Sequence, residues 1–117
     1  MTRDEARQKL AELRVFIDEL DRQITALINE RTRVVEDIGR VKRDADLPVY
    51  EPDREEKVFA NVRSVTNNDP LAQAAVRRIF ERIIEEMRMI QRLRMQSNGN
   101  APAAGDTQMD DTQINDE

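Results

Sequence analysis

The sequence predicts an all-α fold, and three observations support this prediction. Apolar residues recur at spacings of three and four, and we find no segment with the alternating pattern of a strand. Charged residues make up 37% of the 117 residues, whereas only three glycines and four prolines occur. Three Phe, one Tyr and no Trp leave few large side chains for a core. We therefore expect a single helical domain that is completed by oligomerisation.

The first predicted helix covers residues 3–45 and is unusually long. Thr2 and the acids that follow it are typical of a helix start, and the first proline is Pro48. At 1.5 Å per residue such a helix extends for about 60 Å. Its apolar seam is interrupted by one cation, Arg31, whose burial requires an anionic partner. The seam consists of Ala6, Leu10, Leu13, Ile17, Leu20, Ile24, Leu27, Arg31, Val34, Ile38 and Val41.

Two shorter helices are predicted at residues 52–66 and 70–96. Proline is favoured at the first helical position, and Pro52 and Pro70 each occupy it. Asp69 precedes Pro70 and is a typical N-cap residue. The apolar positions are Val58, Val62 and Val65 in the second helix, and Val76, Phe80, Ile83, Met87 and Ile90 in the third.

The last twenty residues, 98–117, are small, polar and acidic. We expect them to form a disordered tail after a helical domain, 1–97. The tail carries five acids and no base, which accounts for the net charge of −5 and leaves the domain formally neutral. A nucleic-acid-binding domain normally carries a basic surplus, so no nucleic-acid partner is predicted. The five acids are Asp106, Asp110, Asp111, Asp116 and Glu117.

Several classes of protein are excluded by the residue types. The chain has no Cys and no His, so it offers neither a disulfide framework nor the usual ligands of a metal site. No apolar run approaches the roughly 20 residues of a membrane span, and the N-terminus lacks the apolar core of a signal peptide. We expect a cytoplasmic protein without a membrane partner and without a metal.

Three cations of the first helix can converge on an anion if two chains pair. Lys42 lies eleven residues after Arg31, so both share one face about 16 Å apart along the axis. Arg14 lies roughly 25 Å from Arg31, too far to join it within one chain. If the helix pairs antiparallel with its copy about a two-fold axis near residue 24, Arg14 falls abreast of residue 34 of the other chain. This geometry predicts two shared sites per homodimer.

The other two helices add acids and an amide to these cations. Glu55 is an acid on the apolar face of the second helix, with Glu51 one turn earlier and Arg54 adjacent. Gln91 lies one turn after Met87 on the inward side of the third helix, and its amide can both donate and accept. Because His and Cys are absent, such a site would act mainly by positioning and electrostatic stabilisation.

A non-catalytic interpretation of the same residues stays open at this point. Arg31 and Glu55 could form a buried ion pair that sets the helix register, and Lys42 and Arg14 could be solvated. The chain would then be a helical dimerisation or regulatory module. One argument opposes this interpretation. Arg14, Arg31 and Lys42 converge in a single antiparallel geometry, and the one carboxylate of Glu55 cannot balance three positive charges.

Six short motifs carry a resemblance to a known family. They are Leu13-Arg14, Asn29-Glu30-Arg31, Ile38-Gly39-Arg40-Val41-Lys42, Pro48-Val49, Asp53-Arg54-Glu55 and Gln91. Their spacing resembles that of the all-α chorismate mutases, without a gap from about Leu10 to Gln91. The resemblance implies an intertwined antiparallel homodimer of three-helix chains that acts in aromatic amino acid biosynthesis. It also implies an isomerase that converts chorismate to prephenate by a pericyclic Claisen rearrangement, which requires no cofactor.

The resemblance further implies which residues bind the carboxylates of chorismate. Arg31 and the partner's Arg14 would anchor the two carboxylates, since a guanidinium matches the shape of a carboxylate. Arg54 would lie beside them as a positively charged support. Met87 departs from the family pattern, because a serine hydroxyl often assists a carboxylate at this position.

Four more residues would act at the reacting bond and the ring hydroxyl. Lys42 would contact a carboxylate and the ether oxygen, and Gln91 would donate to the same oxygen. Glu55 would accept a hydrogen bond from the ring hydroxyl, with Glu51 nearby where the family commonly has aspartate. An isochorismate pyruvate lyase on the same fold is the alternative. Glu55 favours the mutase, because the two substrates carry the ring hydroxyl at different carbons.

Overall fold

The computed structural model describes residues 1–100, and confirms an all-α chain of three helices. These are α1 (Arg3–Asp44), α2 (Pro52–Ser64) and α3 (Pro70–Asn100). The predicted starts are all correct, whereas α1 and α2 end one and two residues early and α3 continues four residues beyond its predicted end. From residue 101 the predicted tail lies outside the described residues.

The chain divides into two compact units, of which the first is Met1–Val34. It consists of the N-terminal part of α1, and a capping box explains where the helix begins. The Thr2 hydroxyl accepts a hydrogen bond from the Glu5 backbone N–H at 3.0 Å, and the Glu5 carboxylate accepts one from the Thr2 N–H at 2.8 Å. Two backbone donors at the start of the helix are thereby satisfied by side chains.

The apolar seam of the first unit is open to solvent. Six of its aliphatic side chains are between 45% and 63% exposed, namely Leu10, Leu13, Ile17, Leu20, Ile24 and Leu27. Contiguous apolar patches of this extent are uncommon on a monomer and mark surfaces that bind another chain. The exposure fits the expectation from the sequence that one copy is incomplete.

The second unit begins at Val35 and contains the end of α1, α2 and α3. A Schellman motif ends α1: the Leu47 N–H bonds to the Lys42 carbonyl at 2.7 Å and the Asp46 N–H to the Arg43 carbonyl at 3.2 Å. Asp46 adopts the left-handed conformation that this motif requires, with φ of 59°. The chain therefore turns sharply after α1 and leads into α2.

The core of the second unit is small and is formed by residues of α1 and α3. Its buried apolar side chains are Val35, Ile84 and Met87. Gly39 is also buried, and a Cβ built on it would lie 3.5 Å from Cγ of Gln91. At the start of α3 the Asp69 carboxylate accepts a hydrogen bond from the Leu71 N–H at 3.1 Å, as predicted for an N-cap.

Candidate active site

Lys42 is enclosed by the segment that connects α1 with α2. Its ammonium donates to the Val49 carbonyl at 2.8 Å and forms an ion pair with Glu51 at 3.0 Å. The Lys42 side chain is only 12% exposed, so the interpretation of this lysine as a solvated flank is wrong. Glu51 is the N-cap residue of α2, but it makes no side-chain cap hydrogen bond and binds Lys42 instead.

Glu55 pairs with an arginine that the sequence analysis did not include. Arg88 of α3 directs Nη1 to the Glu55 carboxylate, and both side chains are 23% exposed. The Arg88 guanidinium carbon also lies 5.1 Å from the ring centroid of Tyr50, within the range of a cation–π interaction. One signal was available in the sequence: Arg88 precedes Gln91 by three residues and therefore shares its face of the helix.

Gln91 is held against α1 by its side-chain amide. The residue is 7% exposed, and its Nε2 donates to the Val35 carbonyl at 3.2 Å. Its side chain packs over Gly39, where a Cβ would lie at an ordinary contact distance of 3.5 Å from Gln91 Cγ. An amide nitrogen carries two N–H groups, so the bond to Val35 commits one of them. Met87, one turn earlier, is buried and offers no strong hydrogen-bonding group.

Two charged pairs and one amide are thus brought together in the second unit. Glu51 is the N-cap residue of α2 and Glu55 lies four residues later in its first turn; Lys42 pairs with Glu51, and Arg88 pairs with Glu55. Gln91 packs at Gly39, one turn before Lys42 on α1. The result is a polar cluster at the junction of all three helices.

The remaining predicted site residues are three arginines. Arg14 is exposed and Arg31 is half-buried, and both belong to the first unit. Arg54 is exposed and lines a shallow cavity with Asp53 and Lys57.

Within residues 1–100, no group of three or more acidic side chains is arranged to hold a metal ion. None of the described helices is long and apolar enough to cross a membrane.

The family model for chorismate mutase type II matches residues 13–92. The chain belongs to this family. The match spans the polar cluster of the second unit and both arginines of the first. It confirms the resemblance and identifies the protein as an isomerase that converts chorismate to prephenate.

Individual chorismate mutases support this identification. A chorismate mutase of Methanocaldococcus jannaschii is 29% identical over 93 residues, which cover 80% of this chain and 94% of that protein. A bifunctional chorismate mutase/prephenate dehydratase of Pseudomonas aeruginosa is 37% identical over 81 residues, but this chain spans only 22% of its length. The chorismate mutase of Thermus thermophilus, in its form II structure, is 31% identical in sequence to this chain. It aligns with a TM-score of 0.67 over 72% of this chain and 94% of that chain.

Proposed function

We propose that this chorismate mutase binds its substrate at a site shared between two copies of the chain. One copy contributes Arg31, Lys42, Glu55 and Gln91, and the partner subunit contributes Arg14. The observation that carries the proposal is the burial of two hydrogen-bond donors, Lys42 and Gln91, which are largely removed from solvent. The same chain carries a long apolar seam that is exposed. The seam is the surface on which the second copy would pack.

The donors of the site match the charge that develops in the reaction. Breaking the ether C–O bond places negative charge on the oxygen while the new C–C bond forms, and no proton is transferred. An ammonium has three N–H groups, and Val49 and Glu51 accept from Lys42, so we assign the third to the ether oxygen. The second N–H of Gln91 is assigned to the same oxygen. Donors that are already oriented and partly desolvated stabilise such charge strongly.

Binding of the two carboxylates falls to the arginines. Arg31 and the partner subunit's Arg14 would hold one carboxylate each, and Arg54 would add positive potential. Met87 offers no hydroxyl, so we expect the ring carboxylate to depend more on arginine than in relatives with serine there. Glu55 would accept from the ring hydroxyl, and Glu51 would hold Lys42 in place. Location in the cytoplasm stays a prediction.

Mixing two inactive variants tests the shared site. Arg14→Ala and Arg31→Ala chains are refolded together, and loss of chorismate and gain of prephenate are measured. Half of the dimers then carry one intact site of two, so about one quarter of the wild-type activity should return. Failure to recover activity, with dimers of both variants demonstrated, contradicts the antiparallel arrangement.

A second mixture is the matched control. Arg31 and Lys42 are assigned to the same copy, so mixing Arg31→Ala with Lys42→Ala chains creates no intact site and should restore nothing. Supplying isochorismate and measuring pyruvate tests the lyase alternative with the same preparations. We expect prephenate from chorismate to be the main product.

A further inference from the structure

Arg88 connects three segments of the second unit around one carboxylate. It lies on α3, whereas its ion-pair partner Glu55 lies on α2 and Tyr50 precedes α2. The guanidinium is fixed from two sides, by the carboxylate and by the aromatic ring. Because both charged side chains are only 23% exposed, their attraction is screened less than that of a surface pair.

An uncompensated carboxylate at this place would oppose substrate binding. Chorismate carries two carboxylates, and Glu55 must lie close to the substrate to meet the ring hydroxyl. Repulsion between like charges is strong where solvent is partly excluded. Arg88 compensates the charge of Glu55 as Lys42 compensates that of Glu51. The four paired side chains of the cluster then carry no net charge.

We propose that Arg88 is a positioning residue for the mutase reaction. It directs the Glu55 carboxylate toward the ring hydroxyl and cancels its charge, so that a dianionic substrate can bind beside it. The inference rests on the role proposed above for Glu55, because Arg88 acts through that carboxylate. Met87 makes compensation of the Glu55 charge more important. Its buried thioether gives the substrate no polar contact that could offset repulsion from Glu55.

Substitution of Arg88 should affect substrate binding more than turnover. We expect Arg88→Met to raise KM for chorismate about 10- to 100-fold, because the substitution leaves one partner of a partly buried charge pair without compensation, and we expect a smaller fall in kcat. Arg88→Lys keeps the charge but loses the planar fork and the stacking on Tyr50. It should therefore recover most of the lost affinity. An unchanged KM in Arg88→Met would overturn the proposal.

A double-mutant cycle separates action through Glu55 from any other role. In a Glu55→Gln background no carboxylate needs compensation, so Arg88→Met should change kcat/KM by no more than about twofold. An equal loss in both backgrounds overturns the proposal. If Glu55→Gln alone leaves kcat/KM unchanged, the role of Glu55 fails and the inference fails with it. If Glu55→Gln is impaired and Arg88→Met is not, only the inference fails.

Arg77 provides a matched control on the same helix. Its guanidinium carbon lies 4.0 Å from the ring centroid of Phe59, and its Nε pairs with Glu81 at 3.4 Å. Arg77→Met removes the same kinds of contact outside the polar cluster, so it should keep the wild-type kcat/KM. Melting temperatures of all variants show how far each substitution destabilises the fold. If Arg77→Met impaired kcat/KM as much as Arg88→Met, the effect would be one of helix stability and the proposal would be overturned.

Discussion

Lys42 and Gln91 have a structural feature in common, since each donates to a backbone carbonyl. Lys42 bonds to Val49 at 2.8 Å and Gln91 to Val35 at 3.2 Å. A backbone acceptor does not depend on side-chain identity, so both donors are placed by the fold of the second unit. Only the charge beside Lys42, supplied by Glu51, depends on a side chain.

Replacement of Lys42 tests its assignment to the ether oxygen. Lys42→Met keeps most of the buried stem but removes the charge and the donors. We expect kcat to fall about 10²- to 10³-fold, as when one preorganised donor to a developing oxyanion is removed. Arg43→Met changes the exposed neighbour and should leave kcat unchanged. Wild-type kcat in Lys42→Met, measured by chorismate consumption, would contradict the assignment.

Gly39 offers a test of how closely α3 packs on α1. Glycine within a helix costs about 0.5–1 kcal/mol relative to alanine, and the Cβ of an alanine would meet Gln91 Cγ at an ordinary contact distance of 3.5 Å. Gly39→Ala should therefore raise the free energy of unfolding by about 0.5–1 kcal/mol in urea titration. Gly39→Val needs more space and should lower it. Destabilisation by alanine would show that α3 packs more closely on α1 than the 3.5 Å distance at Gly39 indicates.

The residues of the site differ in how well the sequence predicts them. Helical spacing places Lys42 and Gln91 on inward faces, because that periodicity is local. The ion pair between Glu55 and Arg88 joins residues 33 apart in the sequence. Its formation depends on how α2 packs on α3, and periodicity does not specify that packing. Arg88 was therefore missed although its neighbour Met87 was selected.

The ends of the helices are also predicted well only where a residue beside them gives a local signal. The starts of α2 and α3 are predicted correctly because Pro52, Asp69 and Pro70 act on the backbone beside them. The end of α1 depends on Asp46 in the left-handed conformation, and a non-glycine residue gives only a weak signal for it. The Schellman motif nevertheless sets the direction of the segment that encloses Lys42.

Replacement of Asp46, which has a positive φ, by glycine should stabilise the end of α1. Glycine adopts a positive φ without steric cost, so Asp46→Gly should raise the free energy of unfolding by about 0.5–1 kcal/mol despite the greater entropy of the unfolded chain. Asp46→Ala keeps a Cβ and is expected to give no gain. Urea titration compares the two variants, and equal stability of both would contradict strain at this residue.

At the scale of the whole molecule, the apolar seam of the first unit is an extended apolar surface that one chain leaves exposed. Its aliphatic side chains from Leu10 to Leu27 stay about half exposed. Burial of apolar surface yields roughly 25 cal/mol per Å², so pairing of two seams would supply stabilisation that the small core of the second unit lacks. Assembly and catalysis would then be inseparable, because the same pairing delivers Arg14 of the partner subunit.

Cysteine substitution along the seam tests the orientation of that pairing. The wild-type chain contains no Cys, so every disulfide in a single-Cys variant must join two copies. In an antiparallel pair only residues near the two-fold axis face themselves at the short Cα separation that a disulfide requires. We therefore expect Ile24→Cys, or a variant within about a turn of it, to cross-link under mild oxidation. Leu10→Cys alone should stay reduced.

A complementary pair of single-Cys variants tests the register. With the axis near residue 24, Leu10 of one copy lies opposite Ile38 of the other, so Leu10→Cys and Ile38→Cys chains should cross-link when mixed although neither does so alone. Non-reducing electrophoresis and mass spectrometry identify the joined peptides. Parallel pairing would instead place every seam position opposite its own copy. Efficient cross-linking of Leu10→Cys by itself would thus rule out the antiparallel dimer, and with it the delivery of Arg14 to the partner's site.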